Sequence, residues 1–398
     1  MDRSYWRTVT LITLWQVSAS ICYYTIFAAT PFFRDAFGLT RFEVGIVVTT
    51  LTLGYAVFLL PIGALIDRFG ERRMLTVGLI GLSAGVLLVA GAPTFALLLA
   101  AVFLLGSVYG TAIPGTNKAV YDNISAGRQN LAMGIKQVGV TGGSGISALL
   151  VTGLAGILFW QVGFLVAAGV GVVVAVLFFV LYRGNGDGGR ARYPDFRRLS
   201  HNRPYRSLVA AGLFLGAALF TTTGYTVLFV EEAVGASVVV GGTVLALVQL
   251  FGSFGRILTG WLSDTLPGDP QVRIGGILIV QLGAAAVLFL VVATTTTAIG
   301  AAIAFSALGF FILGCTGVYY SCMATLVAAD EMGGATAGGQ LALTVGALFA
   351  PPAFGYLADV VGYRAAWWLL AGLSLAAVVL LLHVVRTEPM VERPAYVE

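Results

Sequence analysis

Two cations stand inside stretches that are otherwise apolar: Lys136 within the run 131–157 and Arg256 within the run 238–263. A cation taken out of water keeps its charge only at a cost unless an anion joins it. The chemistry implied is therefore electrostatic capture. Arginine presents a planar fork that matches both oxygens of a carboxylate, whereas lysine adds a point charge. No carboxylate of the chain stands ready for them. Every Asp and Glu falls in a loop, in a tail or near the end of a run, with Glu43, Glu231 and Glu232 towards one membrane surface and Asp122 towards the other. The simplest partner is a bound anion. The plainer alternative has Arg256 bracing helix-end carbonyls and Lys136 snorkelling to the surface, as the other lysine, Lys118, is placed to do.

Polar and aromatic residues near the middle of other runs could complete such a site. Ser20 and Tyr23 follow Gln16 at helical spacing with Phe27 beyond, and Tyr24 can replace Tyr23. Gln137 is next to Lys136, Thr221 and Tyr225 lie in the seventh run, Tyr319 and Tyr320 in the tenth, and Gln340 in the eleventh. Each reads equally as glue between helices. Cys22, Cys315 and Cys322 fall within runs and have no metal-ligand spacing; His201 and His383 lie outside the mid-membrane region. No nucleophile–base set occurs within the runs. An enzyme is not expected, and neither a metal nor another cofactor is implied.

The elements that must position these residues follow from composition. With 58% hydrophobic and 10% charged residues, the chain is too apolar for an ordinary soluble fold. About a dozen runs can cross a hydrocarbon layer of about 30 Å: 8–33, 43–66, 74–93, 95–117, 131–157, 159–182, 207–231, 238–263, 273–293, 297–327, 335–358 and 364–385. Lipid offers backbone groups no partner, so each run is expected to be a helix and the fold class all-α. Glycines spaced like Gly134, Gly139, Gly142 and Gly145 suit closely packed helices. The even-numbered turns and the tails hold 17 of the 22 Lys and Arg, which predicts both termini on the cytoplasmic side. The net charge of +4 is explained by that bias and gives no argument for nucleic acid. The first run is too long for a cleavable signal peptide.

The chain is also written twice. Gly63-Ala-Leu-Ile-Asp67-Arg68-Phe-Gly70-Glu-Arg72-Arg73 returns as Gly260-Trp-Leu-Ser-Asp264, each after a glycine turn, Gly38 or Gly235. The interval from turn to aspartate is the same: 67 − 38 and 264 − 235 both equal 29. At a shift of 204, Gly110 falls on Gly314, Gly134 on Gly338 and Gly142 on Gly346. Duplication within a membrane chain is a mark of transporters. At the shift of 204 Lys136 falls on Gln340, and at the shift of 197 that relates Asp67 to Asp264, Arg256 falls on Leu59, so both cations are additions to the duplicated scaffold. Twelve transmembrane helices in two pseudo-symmetric six-helix bundles are expected, at 1–182 and 207–398. Between them, 183–206 would be a cytoplasmic linker, with a short amphipathic segment around Pro194–Leu199.

The chain resembles the major facilitator superfamily over essentially its whole length. Gly63, Asp67, Arg68, Gly70, Arg72 and Arg73 match the family's loop between helices 2 and 3. The second copy keeps Gly260 and Asp264, with Pro267 where glycine is usual. Asn117 to Arg128 and Met133 to Gln137 resemble the helix 4–5 region of the family's anion and organic-acid carriers. The resemblance implies a gating role for these motif residues and Arg128, with Asp67 closing the cytoplasmic side against a neighbouring helix start. It also places helices 5 and 8, and so Lys136 and Arg256, side by side between the halves. The function implied is alternating-access transport of a small organic anion, a carboxylate, across the cell membrane. Its partners would be the bilayer and a coupling proton or counter-anion, and the chain would act as a monomer. Efflux of lipophilic compounds and a substrate-sensing receptor on the same scaffold are the alternatives.

Overall fold

The computed structural model describes residues 3–125, 128–184, 199–328 and 331–387. Its first eight helices are α1 (Arg3–Ala28), α2 (Thr30–Phe37), α3 (Arg41–Phe69), α4 (Glu71–Ala90), α5 (Phe95–Tyr109), α6 (Ala112–Asn123), α7 (Gln129–Ala155) and α8 (Gln161–Leu181). Seven follow: α9 (Arg203–Glu232), α10 (Val238–Thr265), α11 (Pro270–Val292), α12 (Ala298–Ile312), α13 (Cys315–Ala324), α14 (Met332–Val360) and α15 (Tyr363–Arg386). Twelve helical spans are long and apolar enough to cross a membrane, with α5–α6 and α12–α13 each forming one broken span. An even number of crossings puts both chain ends at one face, termed terminal here; the opposite face is distal. The amphipathic segment expected around Pro194–Leu199 lies, but for Leu199, outside the described residues.

The duplication is visible in local structure. Gly38 and Gly235 both turn through the left-handed region, at φ 64° and 72°, where a residue without Cβ is favoured. Each turn leads to a hydroxyl N-cap. Thr40 accepts from the Glu43 amide in a capping box at the start of α3, and Ser237 accepts from Val240 at the start of α10. Thr94 and Thr297 cap α5 and α12, and both spans then break, at Gly110 and Gly314. After the second copy of the loop motif, Gly268 adopts φ 111°, so the positive-φ turn that Pro267 cannot make occurs one residue later.

The two six-span bundles, α1–α8 and α9–α15, meet along α3 with α14 and α7 with α10. The helices α1 and α9 run through the interior: 78% and 83% of their most apolar windows is buried, against 56% or less for the other ten spans. At the distal face α3 and α14 almost touch. A Cβ on Gly45 would lie 2.5 Å from the Pro351 carbonyl oxygen, and one on Gly355 would lie 2.2 Å from that of Arg41. Only glycine permits this approach on both sides. At the terminal end of the first bundle, Glu71 is 1% exposed. Its Oε1 receives the Tyr182 hydroxyl at 3.3 Å and the Asn123 amide at 3.4 Å. Burial, and then the Glu71 charge, push the Tyr182 phenol well above its usual range. These bonds tie the ends of three spans together.

Candidate functional site

A cavity of ≈ 510 Å³ lies between the bundles on the terminal side. Its deep wall includes Gln137 from α7, Tyr320 from α13 and Gln340 from α14; Asp67, Tyr121 and Gly333 lie towards its mouth. From Gly333 to Gln340 is seven residues on one helix, about 10 Å at ~1.5 Å per residue. This volume falls within the usual range for small-molecule sites of about 300–1,000 Å³.

The two cations stand on neighbouring helices, and neither is among the residues that line the cavity. Ser253 donates to Thr141 Oγ1 at 2.6 Å, joining α10 to α7. Arg256 lies three residues beyond that contact on α10, and Lys136 five residues before it on α7. Both steps run towards the terminal face, so the cations lie within about 3 Å of the same depth. Among the described residues neither has an ion-pair partner.

Their surroundings differ. Lys136 is only 1% exposed, and its Nζ donates to Asn117 Oδ1 at 2.5 Å. Asn117 itself lines the cavity, so Lys136 stands one side chain behind the wall. Arg256 is half-buried. Its Nε donates at 3.0 Å to the Leu313 carbonyl, which lies at the break between α12 and α13 and also accepts from Thr316. The bracing alternative is thus realised at Nε alone, and the bond holds the guanidinium near Tyr24 and Tyr320, both within its electrostatic reach. Tyr320 in turn donates to Gln340 Oε1 at 2.5 Å. That leaves the Gln340 amide nitrogen as a donor on the cavity wall.

The remaining sequence-selected residues divide sharply. Ser20 bonds Gln16 and Tyr109, at 3.3 Å and 3.2 Å, and Tyr23 stacks on Tyr109 at 3.9 Å. That network is buried inside the first bundle. Tyr319 is buried in the second, its hydroxyl 3.5 Å from the Gly339 carbonyl oxygen. Thr221 is buried with its hydroxyl unpartnered. Tyr225 lies at the distal contact, 2.6 Å from the Arg41 carbonyl oxygen and 3.0 Å from that of Pro351. Asn117 carried no functional reading of its own in the sequence; the signal available was its place one position before Lys118 in an unusually polar stretch of an apolar run.

Of the motif residues, Gly63 and Asp67 line the cavity. Neither Asp67 nor Asp264 makes a hydrogen bond or ion pair among the described residues, and Asp264 is exposed. Arg72 donates to the Phe179 carbonyl at 2.6 Å, within its own bundle. Arg68 lies over Phe69, Arg128 over Tyr5, and Arg73 is exposed. Among the described residues no bond from these side chains crosses between bundles at the terminal face, where the cavity opens, while the distal face is tied shut.

The family model described as Major Facilitator Superfamily matches residues 12–338. The hexuronate transporter of Bacillus subtilis is 25% identical, with 93% of this chain and 92% of that one covered. A probable sulfoacetate transporter, SauU, of Cupriavidus necator is 24% identical over 85% of this chain and 83% of its own. Among solved structures, a bacterial homolog of the human lysosomal transporter Spinster, in an inward-facing and occupied conformation, superposes with a TM-score of 0.81. It is 16% identical, with 98% of both chains covered.

Proposed function

The chain belongs to the Major Facilitator Superfamily, and on that premise we propose that it carries a small organic anion, a carboxylate, across the cell membrane by alternating access. One observation carries the choice of cargo. Lys136, one side chain behind the cavity wall, and Arg256 lie at one depth on adjoining helices, with no ion-pair partner among the described residues. An anion between them removes the repulsion and the desolvation cost together. The names of the relatives, which specify a hexuronate and sulfoacetate, support an organic acid as cargo.

In this reading the Arg256 fork takes the carboxylate through its Nη groups, since Nε is held by Leu313. Tyr24 and Tyr320 lie within the reach of the arginine's charge. The amides of Asn117, Gln137 and Gln340 on the cavity wall receive the hydroxyl or carbonyl groups of the rest of the molecule. Lys136 contributes its charge from behind Asn117. The terminal face is the cytoplasmic one, because 17 of the 22 basic residues gather there, and the segment 183–206 links the two transport halves. The conformation is then inward-open.

The test is thermal stabilisation of the purified protein by a panel of small carboxylates, inorganic anions and lipophilic cations. Stabilisation by carboxylates that disappears in Arg256→Gln is the expected result. Stabilisation by lipophilic cations alone would replace this reading with efflux of lipophilic compounds.

A further inference from the structure

A second cavity, of ≈ 600 Å³, lies on the second bundle and shares no residue with the cavity between the bundles. It is a groove that starts at the terminal turn 267–269 and runs along α11 between the ends of α10 and α12. Its lining is mostly apolar, and Val272 and Val280 are 49% and 66% exposed. On a helix that crosses a membrane, apolar side chains exposed in this way face hydrocarbon. Gly276 lines the groove without a side chain, and a Cβ there would meet no atom within 4 Å. The floor is therefore open at that point.

Two polar side chains interrupt the lining. Arg273, in the first turn of α11, donates from Nη1 to the Leu266 carbonyl. Its Nε is buried with no hydrogen-bond partner, and it has no ion pair among the described residues. The acidic neighbour Asp269 turns its Oδ1 to the amides of Gln271 and Val272, at 2.8 Å and 3.3 Å. Deeper in the groove, Gln281 is 2% exposed, and both polar atoms of its side chain lack a partner among the described residues. Its Nε2 lies against the break between α12 and α13, 3.0 Å from where a Cβ on Gly314 would stand. A buried amide left unpaired is destabilising, the more so where no water can reach it. Arg273 and Gln281 are eight residues apart, about 12 Å along the helix. Hydrogen bonds of about 3 Å at each end leave about 6 Å between the two groups of a shared ligand. That is the span from the phosphate of a glycerophospholipid to its ester carbonyl.

We propose that this groove binds one anionic phospholipid of the surrounding bilayer. The phosphate meets Arg273, the glycerol lies over Gly276, and an ester carbonyl accepts from the Gln281 amide. The acyl chain continues past Val280 against Phe310 and Phe311, which line the deep end. An arginine at a membrane surface favours an anionic headgroup. The site is independent of which cargo the protein carries.

The experiment uses delipidated protein in a neutral detergent, with dioleoyl phosphatidylglycerol, dioleoyl phosphatidylcholine, oleate or inorganic phosphate added. Native mass spectrometry reads the retained lipid, and thermal unfolding reads its effect. One phosphatidylglycerol should be retained per chain, about tenfold more tightly than phosphatidylcholine, with a rise in Tm. Arg273→Gln should remove that preference. Gly276→Leu fills open space, so it should weaken both lipids about tenfold while leaving the Tm of the delipidated protein unlowered. Gln281→Leu should raise that Tm, because an unpaired amide is removed, yet shrink the rise that phosphatidylglycerol adds. Equal retention of phosphatidylglycerol by the parent and all three variants would overturn the site. Stabilisation by phosphate or oleate equal to that by phosphatidylglycerol would also overturn it, leaving an ion site or a bare acyl groove.

Discussion

Removing Asn117 should harm the protein more than removing the lysine that it serves. Lys136 is 1% exposed, and among the described residues its one hydrogen-bond partner is Asn117 Oδ1 at 2.5 Å. A hydrogen bond to a charged group contributes about 1.5–3 kcal/mol, and a buried charge left without its partner loses at least that. Asn117→Leu therefore destabilises the protein by about 2–3 kcal/mol. Lys136→Met removes the charge with similar volume, and Asn117, which lines the cavity, can turn to water; the cost is below about 1.5 kcal/mol. The double variant should lie close to Lys136→Met alone, a coupling of about 2 kcal/mol. Reversible unfolding by sodium dodecyl sulfate in mixed micelles reads all four corners of this cycle. A carboxylate that stabilises the parent protein should rescue Asn117→Leu to a greater extent, because it supplies the missing partner for the charge. Additive effects, or an Asn117→Leu variant as stable as the parent, would refute the argument that Lys136 is an embedded charge held by one amide.

Arg256→Gln should weaken carboxylate binding by about 10- to 150-fold, the equivalent of about 1.5–3 kcal/mol for charged hydrogen bonds. Arg256→Lys keeps the charge but loses the fork and should fall between the two in a calorimetric titration. Gly45→Ala places a Cβ about 2.5 Å from backbone atoms of Pro351 and Pro352, an overlap that α3 and α14 relieve by separating. Spin labels on the α2–α3 and α9–α10 turns should move apart in that variant, and the inward-open population should fall.

Much of the architecture was legible because it is local and repeated. Gly38 and Gly235 announced left-handed turns, and Gly110 and Gly314 marked the breaks of two matching spans. The twelve expected runs correspond to twelve helical spans, two of them broken. The site was legible in part. The depth of Lys136 and Arg256 could be counted from the run ends, and Gln137, Tyr320 and Gln340 do line the cavity. Rotation about a helix axis could not be read in the same way. The helix α1 is buried on most of its circumference, so hydrophobic periodicity does not mark which face meets the cavity, and Ser20 and Tyr23 turn into their own bundle. Tyr225 was read as a cavity residue, yet it lies seven residues before Glu232, close enough to the distal face to join α3 to α14. The distal contacts of Arg41 with Glu232 and Asp359 were invisible because the partners stand 191 and 318 positions apart, a pairing set only by how two bundles dock.

Uptake into liposomes containing the purified protein tests the central claim most directly. Labelled small carboxylates, including sugar acids and a sulfonated acid, would be offered alongside lipophilic cations. The account predicts saturable accumulation of a carboxylate, lost in an Arg256→Gln protein that remains folded. Movement of lipophilic cations alone, or carboxylate binding with no uptake in either membrane orientation, would contradict it.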